Sequence, residues 1–356
     1  MCKISSNRVS QKVSQTFWAV KKLSARQYFL ASTDLSLNFN NRKMRIILFL
    51  FLITGTNVFA SIASKPSKDT GFIYSKPNLN QIAETPLKAS TKSSSGGMIF
   101  DLPITYNDQV KYWINYYQTN GKKHFASWLE RSQRYIPKIQ EIFKEKGLPS
   151  DLAYLAMIES GLSPFATSSA QAVGYWQFIA PTAQRYGLKV NWWLDERRDI
   201  YKSTQAAARF LGDMHKMFNN WYLAAAGYNT GEKRIKRLME KHNSNSFWEI
   251  SESLVQETKD YVPKLIAAIL IAKAPTLYGF HDLKYQEPLE YEYFWAPGGT
   301  SMKQLAQSIH FSDKELRLMN PELIRGYIPD YVSGHRIRIP KGSLQKVSAY
   351  FRTRYD

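Results

Sequence analysis

The chain has 356 residues, of which 44% are hydrophobic, and a formal net charge of +19. This hydrophobic content excludes a chain that is disordered along its whole length, and the length is enough for two or three domains. The single cysteine, Cys2, excludes a disulfide framework, and a mature chain that begins after it could not use thiol catalysis.

The first predicted element along the chain is a secretory signal. Residues 46–53 form a short apolar run that follows a basic stretch and precedes Ala60, a small residue of the kind found at signal cleavage sites. The run is too short to span a bilayer. We therefore assign residues 1–60 to an N-terminal extension and signal peptide, and we expect export. Because Met44 opens the signal, residues 1–43 are either an extended leader or the product of a wrongly chosen start codon.

The next segment, residues 61–98, is rich in Ser, Lys, Pro and Thr and shows no sustained apolar period, which predicts a flexible linker. Beyond the signal the chain remains basic. Nucleic acid is the usual partner at such a charge, but the basic residues are scattered and the chain is expected to be exported. We therefore expect no nucleic acid, and favour attraction to an anionic cell wall or membrane surface. A solvated basic surface without a partner is the alternative.

From Tyr106 onwards, apolar residues recur with a helical period. The predicted helices carry Val110, Trp113, Ile114 and Tyr117; Ile136, Ile139, Ile142 and Phe143; Ala207, Phe210, Leu211, Met214 and Phe218 behind a Ser203-Thr204 cap; and residues 221–227 and 257–274. With the helix described next, at least six helices and no alternating strands predict a compact α domain over residues 99–283.

A carboxylate ends one of these apolar stripes. Residues 150–160 are predicted as one amphipathic helix, stopped by Gly161, and Leu152, Leu155 and Glu159 fall on one face of it. Burial and the negative end of the helix dipole both disfavour a charged glutamate, so they raise its pKa towards that of a general acid. The alternative is a structural glutamate that reaches solvent or pairs with a buried base.

The residues after Glu159 form a set of motifs in a fixed order. These are Glu159-Ser160-Gly161, Ser163-Pro164, Ser168, Gly174-Tyr175-Trp176-Gln177-Phe178 and Ala226-Gly227-Tyr228-Asn229-Thr230-Gly231, joined by residues 99–105, 128–137, 147–153 and 256–264. The set resembles the lysozyme-like family of soluble-type lytic transglycosylases, and in particular its D-type membrane-bound members. These enzymes cleave the glycan strands of bacterial peptidoglycan. The resemblance covers about residues 99–279.

The resemblance implies a role for each matching side chain. Glu159 would protonate the bond between N-acetylmuramic acid and N-acetylglucosamine and then take the proton from the sugar O6, which leaves a 1,6-anhydromuramoyl end. The substrate's own acetamido group would replace a second carboxylate, and no cofactor or metal is implied. The implied substrate-binding residues are Ser160, Ser168, Gln177, Tyr228, Asn229 and Tyr261. For Ser160, the alternative is a residue that bonds the backbone of its own helix.

Two positions depart from the family pattern. Trp176 stands where many relatives have Met, and it could stack on a sugar or fill the core. Gly227 stands where Ala is usual, which loosens a helix end. Neither change removes a proton-transfer group.

The pattern of apolar residues changes after Pro275. Residues 291–295 alternate like a strand, residues 302–309 and 313–319 look like short helices, and residues 336–340 read as a closing strand. This βααβ order, over residues 290–342, resembles the LysM module, a small peptidoglycan-binding fold. Glycan binding by this part and a role as a packing appendage are equally open.

These elements predict a mainly α protein with a lysozyme-like catalytic domain, followed by a small α+β LysM-like module. The resemblance implies peptidoglycan glycan strands as the partner and the periplasm or cell envelope of a bacterium as the location, and we expect a monomer. One alternative function is a hydrolytic muramidase in which Asp195 or Asp199 activates water. The other is a non-catalytic scaffold that binds the wall.

Overall fold

The computed structural model describes residues 99–355. The predicted leader, signal peptide and linker lie outside the described residues. Up to residue 283, the described chain is built from nine α-helices: α1 (Asp108–Gln118), α2 (Lys122–Glu145), α3 (Tyr154–Ser160), α4 (Ala180–Arg185), α5 (Ile200–Phe218), α6 (Trp221–Thr230), α7 (Glu232–His242), α8 (Phe247–Ile250) and α9 (Gln256–Lys273). Short 3-10 turns lie at Ser150–Ala153, Glu196–Arg198, Ser251–Ser253 and Pro275–Tyr278.

The centre of this helical part is α9. Its residues 265–271 are all buried, which is the pattern of a helix surrounded by others. It packs against α1, α3 and α6, while α5 packs against α2 and α6. The predicted stripe of α5, from Ala207 to Phe218, is buried as expected. In the described part of the chain, none of the helices combines the length and the apolar character needed to cross a bilayer.

Two predicted helix boundaries were wrong. The helix predicted over residues 150–160 is a 3-10 turn followed by the α-helix α3, and the Asp101 carboxylate caps its start by accepting the main-chain N–H groups of Ser150 and Asp151. The Ser203-Thr204 cap is also wrong, because α5 begins at Ile200. Asp199 caps α5 by accepting the N–H of Lys202 at 2.8 Å, which an aspartate does as well as a serine.

The C-terminal module has the predicted βααβ order. Strand β1 (Tyr291–Pro297) is followed by α10 (Met302–Ser308), α11 (Asp313–Met319) and strand β2 (Gly334–Pro340), and a helix that was not predicted, α12 (Leu344–Tyr355), ends the described chain. The strands pair antiparallel, from Tyr291 opposite Pro340 to Pro297 opposite Gly334. Phe294, Ala296, Ile337 and Ile339 lie on the inner face of this sheet, in a second hydrophobic core.

Residues 189–199, the joining segment, connect the two cores. Trp193 and Leu194 are buried in the core of the C-terminal module, although they precede it by about a hundred residues in the sequence. The main-chain N–H of Asp195 donates to the carbonyl of Glu322 at 2.8 Å. The module is therefore packed directly against the helical part rather than tethered to it.

A buried cluster of charged side chains lies at this contact. The Arg338 guanidinium on β2 contacts the carboxylates of Asp199 and Glu322, the latter at 3.0 Å. Burial raises the pKa of Glu322, against the lowering effect of Arg338. The two carboxylates raise the pKa of Arg338 further above its ordinary value, despite the opposing effect of burial. The cluster is thus a charge network whose members depend on one another.

Candidate active site

Glu159 lies in the last turn of α3, and the helix end is fixed from α2. Gly161 follows in the left-handed conformation at φ 59°. A Cβ on Gly161 would lie 2.3 Å from the indole nitrogen of Trp128, so only glycine allows this close approach. Arg131 donates to the carbonyl of Gly161 at 2.6 Å. The position of the glutamate is therefore set by a neighbouring helix as well as by its own.

The pKa of Glu159 is raised by burial, in the direction predicted from the sequence. The residue is partly buried, and burial raises the pKa of its carboxyl to about 7. The charge of Glu257 raises the pKa further, while Lys264 and a hydrogen bond from Tyr261 lower it. Tyr261 Oη donates to Glu159 Oε1 at 2.5 Å. The carboxyl can thus exist in either protonation state near neutral pH.

Tyr228 and Tyr261 are both neutral donors beside this carboxyl. Burial, and then the charge of Glu159, raises the pKa of each phenol well above its ordinary value. Tyr228 Oη donates to the carbonyl of Trp176 at 2.7 Å, which fixes its ring. The structure therefore brings Tyr228 and Tyr261, from α6 and α9, into the electrostatic environment of the acid.

Asn229 is oriented by the same helix that carries Tyr261. Its Oδ1 accepts a hydrogen bond from the hydroxyl of Thr258 at 2.7 Å. Because the oxygen is the bonded atom, the amide N–H₂ points elsewhere. Among the described residues no hydrogen bond occupies this amide group, so it is able to donate to a ligand.

Three of the predicted substrate-binding residues belong to the loop that follows α3 or to the end of α3. Ser160 Oγ donates towards the carbonyls of Tyr175, at 2.8 Å, and Ala156, at 3.0 Å. Ser168 Oγ accepts the N–H of Ala172 at 3.1 Å. Gln177 Nε2 donates to the carbonyl of Gly174 at 2.9 Å. Their contacts are to main-chain atoms, so the structure does not place any of these side chains on Glu159.

Among the residues that the structure describes, the hydrogen bonds of the Gln177 side chain use only its amide nitrogen, so its carbonyl oxygen is able to accept from a ligand. Ser160 has no such spare donor, since its single O–H is shared between two carbonyls. These bonds match the alternative in which Ser160 bonds the backbone of its own helix. Its role in substrate binding remains a prediction.

The departure at Trp176 is explained by packing. The side chain is fully buried, its ring packs on Phe143 with centroids 5.4 Å apart, and its N–H donates to the Thr204 hydroxyl at 3.1 Å. It fills the core, and the alternative of a sugar-stacking Trp176 is wrong.

The carboxylates considered as a second catalytic group, Asp195 and Asp199, are engaged elsewhere, and so is Glu196 between them. Asp195 forms a two-pronged ion pair with Arg197, with both N–O distances at 2.8 Å. Glu196 pairs with Lys202 at 2.5 Å, and Asp199 pairs with Arg338. All three are buried. None of these pairs leaves a carboxylate free to activate water.

Sequence reasoning missed two charged neighbours of the acid. Glu257 and Lys264 share a face of α9 with Tyr261, at i−4 and i+3 spacing. Lys264 Nζ lies 4.3 Å from the ring centre of Trp113. The helical spacing around Tyr261 was the available signal for both residues.

Comparison with known families gives this site a context. Residues 138–251 match the Transglycosylase SLT domain. The SLT match includes Glu159, Gln177, Tyr228 and Asn229 and ends before Tyr261.

The relatives match only part of this chain. Over 181 residues the chain is 36% identical to the membrane-bound lytic murein transglycosylase D of Escherichia coli K12, which is 49% of this chain and 39% of that protein. The chain thus spans less than half the length of that relative. The solved lytic transglycosylase Slt of Pseudomonas aeruginosa is similar over 42% of this chain and 25% of its own, with a TM-score of 0.33 and 21% identity. The 70 kDa soluble lytic transglycosylase of Escherichia coli has the same TM-score of 0.33, with 17% identity over 42% of this chain and 26% of its own.

Proposed function

We propose that the protein is a peptidoglycan lytic transglycosylase. It would cleave the β-1,4 bond between N-acetylmuramic acid and N-acetylglucosamine and leave 1,6-anhydromuramoyl ends. The observation that carries the proposal is Glu159, whose carboxyl has a pKa of about 7 within the residues that match the SLT domain.

The proposed reaction needs one titrating group in two steps. Protonated Glu159 donates its proton to the glycosidic oxygen, while the substrate's acetamido group stabilises the anomeric carbon. The resulting carboxylate, hydrogen-bonded by Tyr261, then takes the proton from O6 as O6 attacks that carbon. Water is not consumed. A pKa near the working pH suits a group that must give a proton and then take one back.

Asn229 and Gln177 have atoms left to bind the sugar. The Asn229 amide can donate to an acetamido carbonyl, and the Gln177 Oε1 can accept from a sugar hydroxyl or amide. Ser168 and Ser160 complete the proposed binding set, the latter through the loop it anchors.

Mass analysis of the fragments released from purified sacculi tests the function. We expect muropeptides with anhydro ends, one water lighter than hydrolysed ends, because the carboxylates considered for activating water, Asp195 and Asp199, are held in buried ion pairs. Hydrolysed ends alone would instead identify a muramidase. Sacculi left intact would favour the non-catalytic scaffold.

We propose further that the C-terminal module, residues 290–342 with the added helix α12, is LysM-like and binds glycan. Its exposed aromatic residues support this, with Trp295 60% and Tyr331 70% exposed. Sugar rings stack on such side chains through their apolar faces, much as other ligands use aromatic platforms.

Sedimentation with insoluble sacculi tests this part. Replacing Trp295 and Tyr331 by alanine is expected to weaken binding about fivefold to tenfold, which corresponds to about 1 kcal/mol of lost stacking. Cleavage of short soluble glycans should be unchanged. Leu344→Ala, which removes another exposed apolar side chain from the module, is the control. Wild-type sedimentation of the double variant would make the module a packing appendage.

The proposal also covers the cellular location and the oligomeric state of the protein. A basic, exported chain would act in the periplasm or cell envelope, near an anionic wall or membrane surface, as a monomer. The signal-like residues 46–53 support export.

A further inference from the structure

We propose that Arg197 is a positioning residue for substrate binding, because its guanidinium ties together the loop of residues 163–178. This loop carries Ser168 and Gln177, so the inference rests on the proposed function. Arg197 itself is buried and 8% exposed.

One guanidinium group makes two kinds of contact. Its Nε and Nη2 form the two-pronged pair with Asp195. Its remaining nitrogen, Nη1, donates to the carbonyl of Gln171 at 3.1 Å and to the carbonyl of Phe178 at 3.0 Å. A single nitrogen atom thus joins the middle of the loop to its end. Arg198 adds a third tie by donating to the carbonyl of Pro164 at 3.1 Å, near the start of the loop.

The loop needs such ties because its backbone is strained. Gln171 and Gln177 are not glycines, yet they have φ values of 60° and 47°. A residue with a side chain adopts this left-handed conformation at a cost of about 1 kcal/mol or more. Gly174 packs so closely on the joining segment that a Cβ would lie 2.1 Å from the carbonyl oxygen of Arg197. Contact with residues 195–198 therefore helps to hold the loop in this strained shape.

The support behind Arg197 is itself rigid. Asp195 is fixed by the carbonyl of Glu322, and Asp199 by Arg338. Arg197 thus links the strained loop to a part of the molecule that is anchored on both sides. Within this loop the side-chain amide of Gln177 donates to the carbonyls of Ala166 and Gly174.

Arg197→Lys is the test, in the full chain. Lysine keeps the positive charge beside Asp195, but it lacks the planar fork that binds a carboxylate and two carbonyls at once. We expect the KM for soluble glycan fragments to rise at least fivefold while kcat falls less than threefold. The pH midpoint of activity should not move, because the hydrogen bond to Glu159 comes from Tyr261 on α9 and not from the loop. Amide hydrogen exchange of residues 166–178 should become at least tenfold faster.

The matched control is Arg209→Lys. Arg209 lies within the same SLT match and donates to the main-chain carbonyl of Tyr186, so the same substitution removes a carbonyl contact away from the loop. It should leave KM and loop exchange unchanged. If Arg197→Lys fails to fold, Arg198→Lys removes the contact to Pro164 and should raise KM about twofold to threefold.

The outcomes separate this inference from the proposed function. A folded Arg197→Lys enzyme with wild-type KM and wild-type loop exchange overturns the inference and leaves the function intact. Unchanged kinetics with faster loop exchange also overturns it, since the loop would then not govern binding. If the wild-type protein cleaves no glycan, the proposed function is wrong. Loop exchange at the wild-type rate in Arg197→Lys would in addition show that Arg197 does not hold the loop.

Discussion

Replacing Glu159 by glutamine is expected to lower glycan cleavage by two or more orders of magnitude, which is the scale of losing a general acid. Glutamine has nearly the same shape, and its Oε1 can still accept the hydrogen bond from Tyr261. Only the titrating proton is lost. The measurement is the release of soluble fragments from sacculi, with binding to sacculi measured in parallel and expected to be unchanged. Near-normal cleavage by the variant would overturn the assignment of Glu159.

The pH dependence follows from the same carboxyl. The first step needs protonated Glu159, so wild-type kcat/KM should fall as the pH rises through about 7. Stability has the same sign. A carboxyl whose pKa is about 7 in the folded chain, against an ordinary 4.5, binds its proton more tightly when folded, so stability falls between these two pH values as the pH rises. Above pH 7 the ionised group costs up to roughly 3 kcal/mol.

The glutamine variant has no such pH-dependent cost. It should therefore resist urea unfolding better than the wild type at pH 8, and the two proteins should converge near pH 4. This comparison is also the folding control, because an inactive variant that is more stable has not lost activity through misfolding.

Arg338→Met is expected to destabilise the protein by about 3–5 kcal/mol, the cost of leaving buried charges without their partner. The substitution removes the cation between Asp199 and Glu322, which are 3% and 1% exposed. Methionine restores some of the packing but none of the charge. Urea unfolding at pH 8 measures the loss.

The control lies two residues away on the same strand. Arg336 is exposed, and its guanidinium lies 3.6 Å from the ring centre of Tyr293. Arg336→Met should therefore cost no more than about 1 kcal/mol. Equal losses for the two variants would mean that the buried cluster contributes no more than a surface contact.

Local pattern was enough to predict most of the helices and the chemistry of the acid. The apolar stripe ending in Glu159 predicted that this residue is at least partly buried and that its pKa is raised, because residues three or four positions apart along a helix lie on the same face. The resemblance supplied Tyr261, whose contact with the acid crosses 102 positions of sequence. No periodicity within either helix could have predicted that contact.

The remaining features depend on tertiary contacts. Arg338 and Asp199 are 139 positions apart, and neither position shows in its own surroundings that it will pair with the other. Trp193 reads as part of the helical domain, but it is buried in the C-terminal core. The sequence around Trp176 is compatible both with sugar binding and with core packing, and only the burial of the side chain distinguishes the two.

The joining segment affects how the protein is expected to unfold. Trp193 and Leu194 belong by sequence to the helical part and by packing to the C-terminal core, so the C-terminal core is incomplete without two residues of the helical region. Removing either region would expose apolar surface on the one that remains. We therefore expect the two regions, which the motifs divide near residue 285, to lose their structure in one cooperative step rather than separately.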